Sequence, residues 1–122
     1  MPRLICLLTL CVGCLASALA LPSGLRVQTV HANVNFISAM AVAPDGSIFF
    51  SEKGFGNPSN ADCKLRTPAG AVSTFVRKTV DARGESGMLG VALDPAYASN
   101  GFVYIYYINS TPRVGRLARF RR

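Results

Sequence analysis

The sequence predicts an all-β chain, a partial β-propeller of about two blades, and three observations carry that expectation. First, the chain repeats itself. Met40-Ala41-Val42-Ala43-Pro44-Asp45-Gly46 leads into the apolar run Ile48-Phe49-Phe50, and Gly90-Val91-Ala92-Leu93-Asp94-Pro95 leads into Phe102-Val103-Tyr104-Ile105-Tyr106; Ala43 and Leu93 hold equivalent places 50 positions apart. Repeats of about 20–50 residues belong to solenoids, propellers and arrays. Second, short apolar runs alternate with Gly, Pro, Asn and Asp, the grammar of strands and tight turns. Third, beyond the first 20 residues no stretch of 11 or more shows an apolar stripe at helical spacing.

The elements follow in order. Residues 1–20 read as an export leader: Arg3 gives the positive start, Leu4 to Ala20 is uncharged and apolar, and Ala18-Leu19-Ala20 fits the small-x-small cleavage rule. Cleavage after Ala20 is expected, with a secreted (or, in a bacterium, periplasmic) chain beginning at Leu21. A retained signal anchor is the alternative, but this run has 17 residues and a spanning helix wants about 20. The leader also inflates the mean hydropathy of +0.31, and no membrane span is expected in the mature chain.

Residues 21–122 form one unit, too short for two domains. Leu25, Val27 and Thr29 alternate as an entering extended piece. Phe36 to Ala43 has little polarity and suits a doubly covered inner strand. Pro44-Asp45-Gly46 turns the chain, since proline fixes φ and glycine accepts a positive one. Ser47 to Glu52 returns, Gly54 to Ser59 reads as a broad loop, and Cys63 to Thr67 and Ala71 to Val76 flank the turn Pro68-Ala69-Gly70. That is one four-stranded blade. A second begins with Met88 to Leu93, passes the Asp94 to Gly101 loop, and continues through Phe102 to Ile108 and Val114 to Phe120.

Charge and cysteine content exclude several functions. The net charge of +7 resembles a nucleic-acid signature until it is located. Five of the 13 basic residues (Arg113, Arg116, Arg119, Arg121, Arg122) crowd the last ten positions, and Arg3 belongs to the leader. The seven bases left between Leu21 and Pro112 face all six acids, so no basic phosphate-binding face is expected, and the terminal run reads as a solvated end. Cys6, Cys11 and Cys14 lie in the leader. Cys63 remains alone, which excludes a disulfide framework or a cysteine metal site and points to a buried apolar position or a missing partner. Asn109-Ser110-Thr111 fits the glycosylation acceptor rule in a eukaryotic secretory route.

Propellers close with about 4–8 blades, each burying its faces against its neighbours. Seven strands leave two apolar faces and open edges, so the chain is expected to be a fragment of a longer protein whose other blades are partners it lacks; a small open sheet that folds alone is the rival.

Gly84-Glu85-Ser86-Gly87-Met88-Leu89-Gly90-Val91-Ala92-Leu93-Asp94-Pro95, followed by Asn100-Gly101-Phe102-Val103-Tyr104-Ile105-Tyr106-Tyr107, resembles the glucose/sorbosone dehydrogenase family. The alanine strand, Pro44-Asp45-Gly46 and the aromatic strand ending at Ser51-Glu52 also fit that family's first blade, so the resemblance runs from about Val27 to Phe120. It implies a secreted six-bladed propeller that oxidises a sugar hydroxyl with pyrroloquinoline quinone (PQQ), in a site that also holds calcium. A histidine serves the family as general base, after the second blade. His31, the single histidine here, precedes the first blade strand and does not match, so it is read as a loop or packed residue and no catalytic residue is assigned.

The resemblance offers one cofactor contact. Quinone-binding members carry glutamine two places before the glycine that is Gly87 here, and this chain has Glu85. A glutamine can donate to a quinone oxygen, whereas an ionised glutamate only accepts, and a carboxylate beside an anionic cofactor is repelled or protonated. Glu85 is therefore either a quinone contact or a solvated turn carboxylate. Asp45 and Asp94 read as turn formers and Tyr104, Tyr106 and Tyr107 as packing residues. No phosphate loop, Ser-His-Asp set or metal cluster stands in the sequence. Two function classes remain: part of a PQQ-dependent sugar dehydrogenase, inactive alone and binding no cofactor tightly, or a protein-binding propeller ectodomain of the kind found in hedgehog-interacting proteins.

Overall fold

The computed structural model describes residues 22–122; the leader and its cleavage site at Ala20 lie outside the described residues. Two antiparallel meanders make up the chain. The first holds β1 (Ile37–Val42), β2 (Ile48–Glu52), β3 (Gly56–Arg66) and β4 (Val72–Ala82), in that spatial order. The second holds β5 (Met88–Leu93), β6 (Phe102–Ile108) and β7 (Gly115–Arg121), with the short helix α1 (Tyr97–Asn100) between β5 and β6. The all-β, blade-like expectation holds.

The Pro44-Asp45-Gly46 turn forms as its residue types require. Gly46 takes a φ of 80° and donates to Ala43 O at 2.9 Å, while the Asp45 carboxylate accepts from the Ser47 amide at 2.9 Å. Asp94 does the same work in the second unit, accepting from the Ala96 amide and the Asn100 side chain, both at 2.9 Å. Tyr104 adds its hydroxyl to Asp94 at 2.9 Å, so it anchors a turn as well as packing.

Three readings of the sequence shift. Leu25 to Thr29 belongs to no strand. The expected Gly54 to Ser59 loop shortens, because β3 starts at Gly56 and passes Pro58 through an irregularity between Gly56 and Ser59. There Pro58 does not interrupt pairing, since an irregular register spares the missing N–H a partner. Correspondingly β4 runs on to Ala82, where Val80, Asp81 and Ala82 are all buried.

A core lies between the two sheets. Phe49, Cys63 and Val80 from the first meet Met88, Val103 and Ile105 from the second, all fully buried. The Phe49 ring contacts Phe75 and Tyr97 edge-on, with centroids 5.1 and 5.9 Å away, a favoured aromatic geometry. The opposite faces remain apolar and exposed, with Ile37, Met40 and Val42 on the first sheet and Tyr106 and Leu117 on the second. Such uncovered faces are what a blade presents to its neighbour.

At one end of the pair lie the turns β1–β2, β3–β4 and β5–β6. At the other gather the segment entering β1 and the β2–β3, β4–β5 and β6–β7 connections. Cross-links fasten this second end: Met88 N donates to Lys53 O at 3.0 Å, Ile108 N to Gly87 O at 2.9 Å, and Val80 bridges to Asn109. Gly87 is required there. It takes a φ of 130°, and a Cβ on it would overlap the Lys53 carbonyl and side chain.

Candidate functional site

The end that carries the β4–β5 connection also carries Glu85, and its geometry is built around a different acid. Asp81, the penultimate residue of β4, is fully buried. Its carboxylate accepts from the Arg83 amide at 3.1 Å and from Arg83 Nε and Nη2 at 3.0 and 2.6 Å. Arg113, in the β6–β7 connection, reaches the same carboxylate through Nε at 2.9 Å and donates from Nη2 to Ser86 Oγ at 2.8 Å. One buried anion thus joins both sheets and fixes the turn Arg83–Ser86, whose Ser86 amide closes on Arg83 O at 3.1 Å. A buried carboxylate is tolerated only when paired and hydrogen-bonded in this way. The Arg83 contacts, opposed by burial and assisted by Arg113, hold the Asp81 carboxyl far below its ordinary value.

Glu85 sits exposed at the tip of that turn, and its side chain makes no hydrogen bond or ion pair among the described residues. The turn is fixed; its carboxylate is not. Lys53 reaches across to the Gly84 carbonyl, so a cation borders the same turn. His31 is remote from it: it lies on the outer face of the first sheet, its ring 6.0 Å from Phe50. Asn109 lies in the β6–β7 connection, its side-chain amide donating to Thr111 O at 2.8 Å and Pro112 O at 3.1 Å. Cys63 is buried and free, and burial pushes its thiol up to about 12.

The arginine-rich end is not uniformly solvated, as the sequence had suggested. Arg113 joins Asp81, Arg119 lies over the Phe102 ring at 4.2 Å, and Arg122 donates across to Asp45 of the first unit at 3.0 Å and to Tyr97 Oη of its own unit at 3.1 Å. That last clasp borders a cleft of about 650 Å³ at the turn end, whose polar groups are largely spent on one another. Spacing alone could not pair residues 77 apart. Strand alternation sets Asp81 on the face opposite Val80 and Ala82, where an acid reads as solvated; its burial comes with the Arg83 and Arg113 partners that only the fold supplies.

Among the described residues no group of three His, Cys, Asp or Glu could hold a metal ion, and no helix is long and apolar enough to cross a membrane. A quinone with calcium does not fit the residues present. Glu85 can only accept, and both nearby guanidinium groups are already bound to Asp81.

Two meanders packed face to face, with β1 beside β5 and the connections of both sheets aligned at the same two ends, define consecutive propeller blades. A family model described as glucose/sorbosone dehydrogenase matches residues 35–121. The chain belongs to the glucose/sorbosone dehydrogenase family. It is similar to a solved structure from Thermus thermophilus assigned as an oxidoreductase (glucose dehydrogenase), with 32% identity over 81% of this chain and a TM-score of 0.69. The chain spans 28% of that protein's length. No curated protein sequence matches it.

Proposed function

We propose that this chain supplies the first two blades of a secreted, PQQ-dependent dehydrogenase acting on a sugar hydroxyl. The observation that carries the reading is the family match across both meanders, residues 35–121, joined to the blade-on-blade packing. Supporting it, the β2–β3, β4–β5 and β6–β7 connections of the two sheets converge at one end, and propellers mount their sites on loops held by a rigid scaffold. In this reading the general base, the calcium ligands and most quinone contacts belong to the remainder of a ring of which the solved relative has far more. This chain's part is to hold the Glu85 turn in place through Asp81 and Arg113. Taken alone, the chain is inactive.

Two measurements test the proposal. Calorimetric titration of the chain with PQQ and calcium is expected to give no binding tighter than about millimolar. The longer protein that the reading calls for is expected to carry a histidine followed by paired glycines at the start of its next blade, and to reduce a redox dye with glucose once loaded with PQQ and calcium. A longer protein with neither the histidine nor the activity contradicts the dehydrogenase reading and leaves the protein-binding ectodomain.

A further inference from the structure

The outer face of the first sheet is partly covered by the chain itself. Met40 and Phe50 stand opposite each other across β1 and β2, so their side chains share that face. Met40 is 64% exposed there, yet Phe50 is only 5% exposed. The segment entering β1 makes the difference. It bends at Asn33, which takes a φ of 58°, and His31 comes to lie with its ring 6.0 Å from Phe50. Asparagine is among the few residues that enter the left-handed region readily, so the bend that returns this segment to the sheet has a local cause.

Between segment and sheet lies a cleft of about 210 Å³, with Val30 and Val34 on one wall and Met40, Ile48 and Phe50 on the other. Arg66, the last residue of β3, lines it beside these apolar groups. Its guanidinium is underused. Nε is buried and meets no acceptor among the described residues, while Nη1 donates to the neighbouring Thr67 carbonyl at 3.2 Å. None of the ion pairs among the described residues includes Arg66. Buried donors are nearly always satisfied, and a charge against apolar surface is costly unless an opposite charge meets it. An apolar cleft edged by such a cation selects for an apolar body with an anionic head.

We propose that this cleft binds a small aliphatic carboxylate, its chain among Val30, Met40, Ile48 and Phe50 and its head on the Arg66 guanidinium. Burial of the chain supplies the attraction, and the planar fork of arginine donors rewards a carboxylate more than any neutral head. At about 30 Å³ for each water-sized group, the space suits a chain of about six carbons. Arg66 stands at the β3–β4 turn, at the opposite end of the sheet from the Glu85 turn. The site shares no residue with that turn, goes beyond the dehydrogenase reading, and stands or falls separately from it.

The test titrates sodium hexanoate, and its neutral analogue 1-hexanol, into the full chain while amide and methyl NMR signals are followed. Hexanoate is expected to saturate, with shifts confined to residues 29–34 and to Met40, Ile48, Phe50 and Arg66. It is expected to bind about tenfold more tightly than the alcohol. Arg66→Gln, which breaks no ion pair among the described residues, is expected to erase that preference. Met40→Glu sets a carboxylate at an exposed position on the sheet wall and is expected to weaken hexanoate by about fivefold or more, and hexanol less. The acid-to-alcohol ratio of the native chain and the Met40→Glu variant decide the matter even if Arg66→Gln unfolds. Equal affinity for acid and alcohol, a preference that survives in Arg66→Gln, or undiminished hexanoate binding in Met40→Glu overturns the proposal. So do shifts centred on the Glu85 turn, or a titration that never saturates.

Discussion

Ser38 Oγ donates to Met88 O at 2.6 Å, and these two residues are 50 positions apart, the same interval at which the sequence repeats. Equivalent points of the two repeats therefore touch. Both sit at register shifts, between Ile37 and Ala39 in β1 and between Met88 and Gly90 in β5. A bulge turns a side chain or carbonyl out of the ladder. Here the two irregularities meet and lock the inner strands of adjacent blades, with Ser51 Oγ joining at 2.8 Å.

Replacing Ser38 by Ala removes the donor while leaving the Met88 carbonyl in the interface. The loss expected is about 1–2 kcal/mol, read as a lower urea midpoint at unchanged m-value. An unchanged midpoint means the contact does not fasten the sheets.

Acid should weaken the fold through its aspartates. Asp81 is held low chiefly by the Arg83 guanidinium, and Asp62 is lowered first by Arg77. Asp94 is lowered first by Asn100 and Asp45 by the Ser47 amide. A carboxyl whose folded pKa lies below its unfolded value adds stability above the unfolded value and loses it as pH falls through the folded one. The urea midpoint is thus expected to be level at neutral pH and to drop below the ordinary aspartate value of 3.8. Asp81→Asn should make that drop shallower. A midpoint that rises on acidification, or an equal slope in the variant, contradicts the assignment.

Gly87→Ala places a methyl on the Lys53 carbonyl at a φ of 130° and should cost about 2–3 kcal/mol. Gly84→Ala, three residues earlier, meets nothing within 4 Å at a φ of 55° and should cost about 1 kcal/mol. Thermal unfolding of the two variants gives the order directly, and equal losses refute the crowding argument.

The Cys63 thiol, buried and pushed up to about 12 first by desolvation and then by Asp62, should resist iodoacetamide at pH about 8, where an ordinary thiol is partly ionised. Its alkylation rate should follow the unfolded fraction as urea is added. Fast labelling of the native chain shows an open core.

Much of the architecture could be read from local chemistry. Pro44-Asp45-Gly46 and Pro68-Ala69-Gly70 announce turns because their residue types set φ, and the apolar runs before and after them pair as expected. Gly56 to Ser59 misleads because Pro and Gly signal a loop locally, whereas the register irregularity that tolerates Pro58 is a property of the paired strand. Long-range polar pairs escape for a different reason. Arg113 finds Asp81 and Arg122 finds Asp45 only after two sheets have stacked, and no spacing rule spans 32 or 77 residues. At the candidate site the sequence identified the Glu85 turn, while the buried acid that fixes it emerged from the packing.

The central claim is that the two meanders share one core as neighbouring blades. A double-mutant cycle on Phe49→Leu and Tyr97→Leu, whose rings meet edge-on across the sheets at 5.9 Å, tests it most directly. The account predicts a coupling of about 0.5–1.5 kcal/mol in urea unfolding; strictly additive losses contradict it.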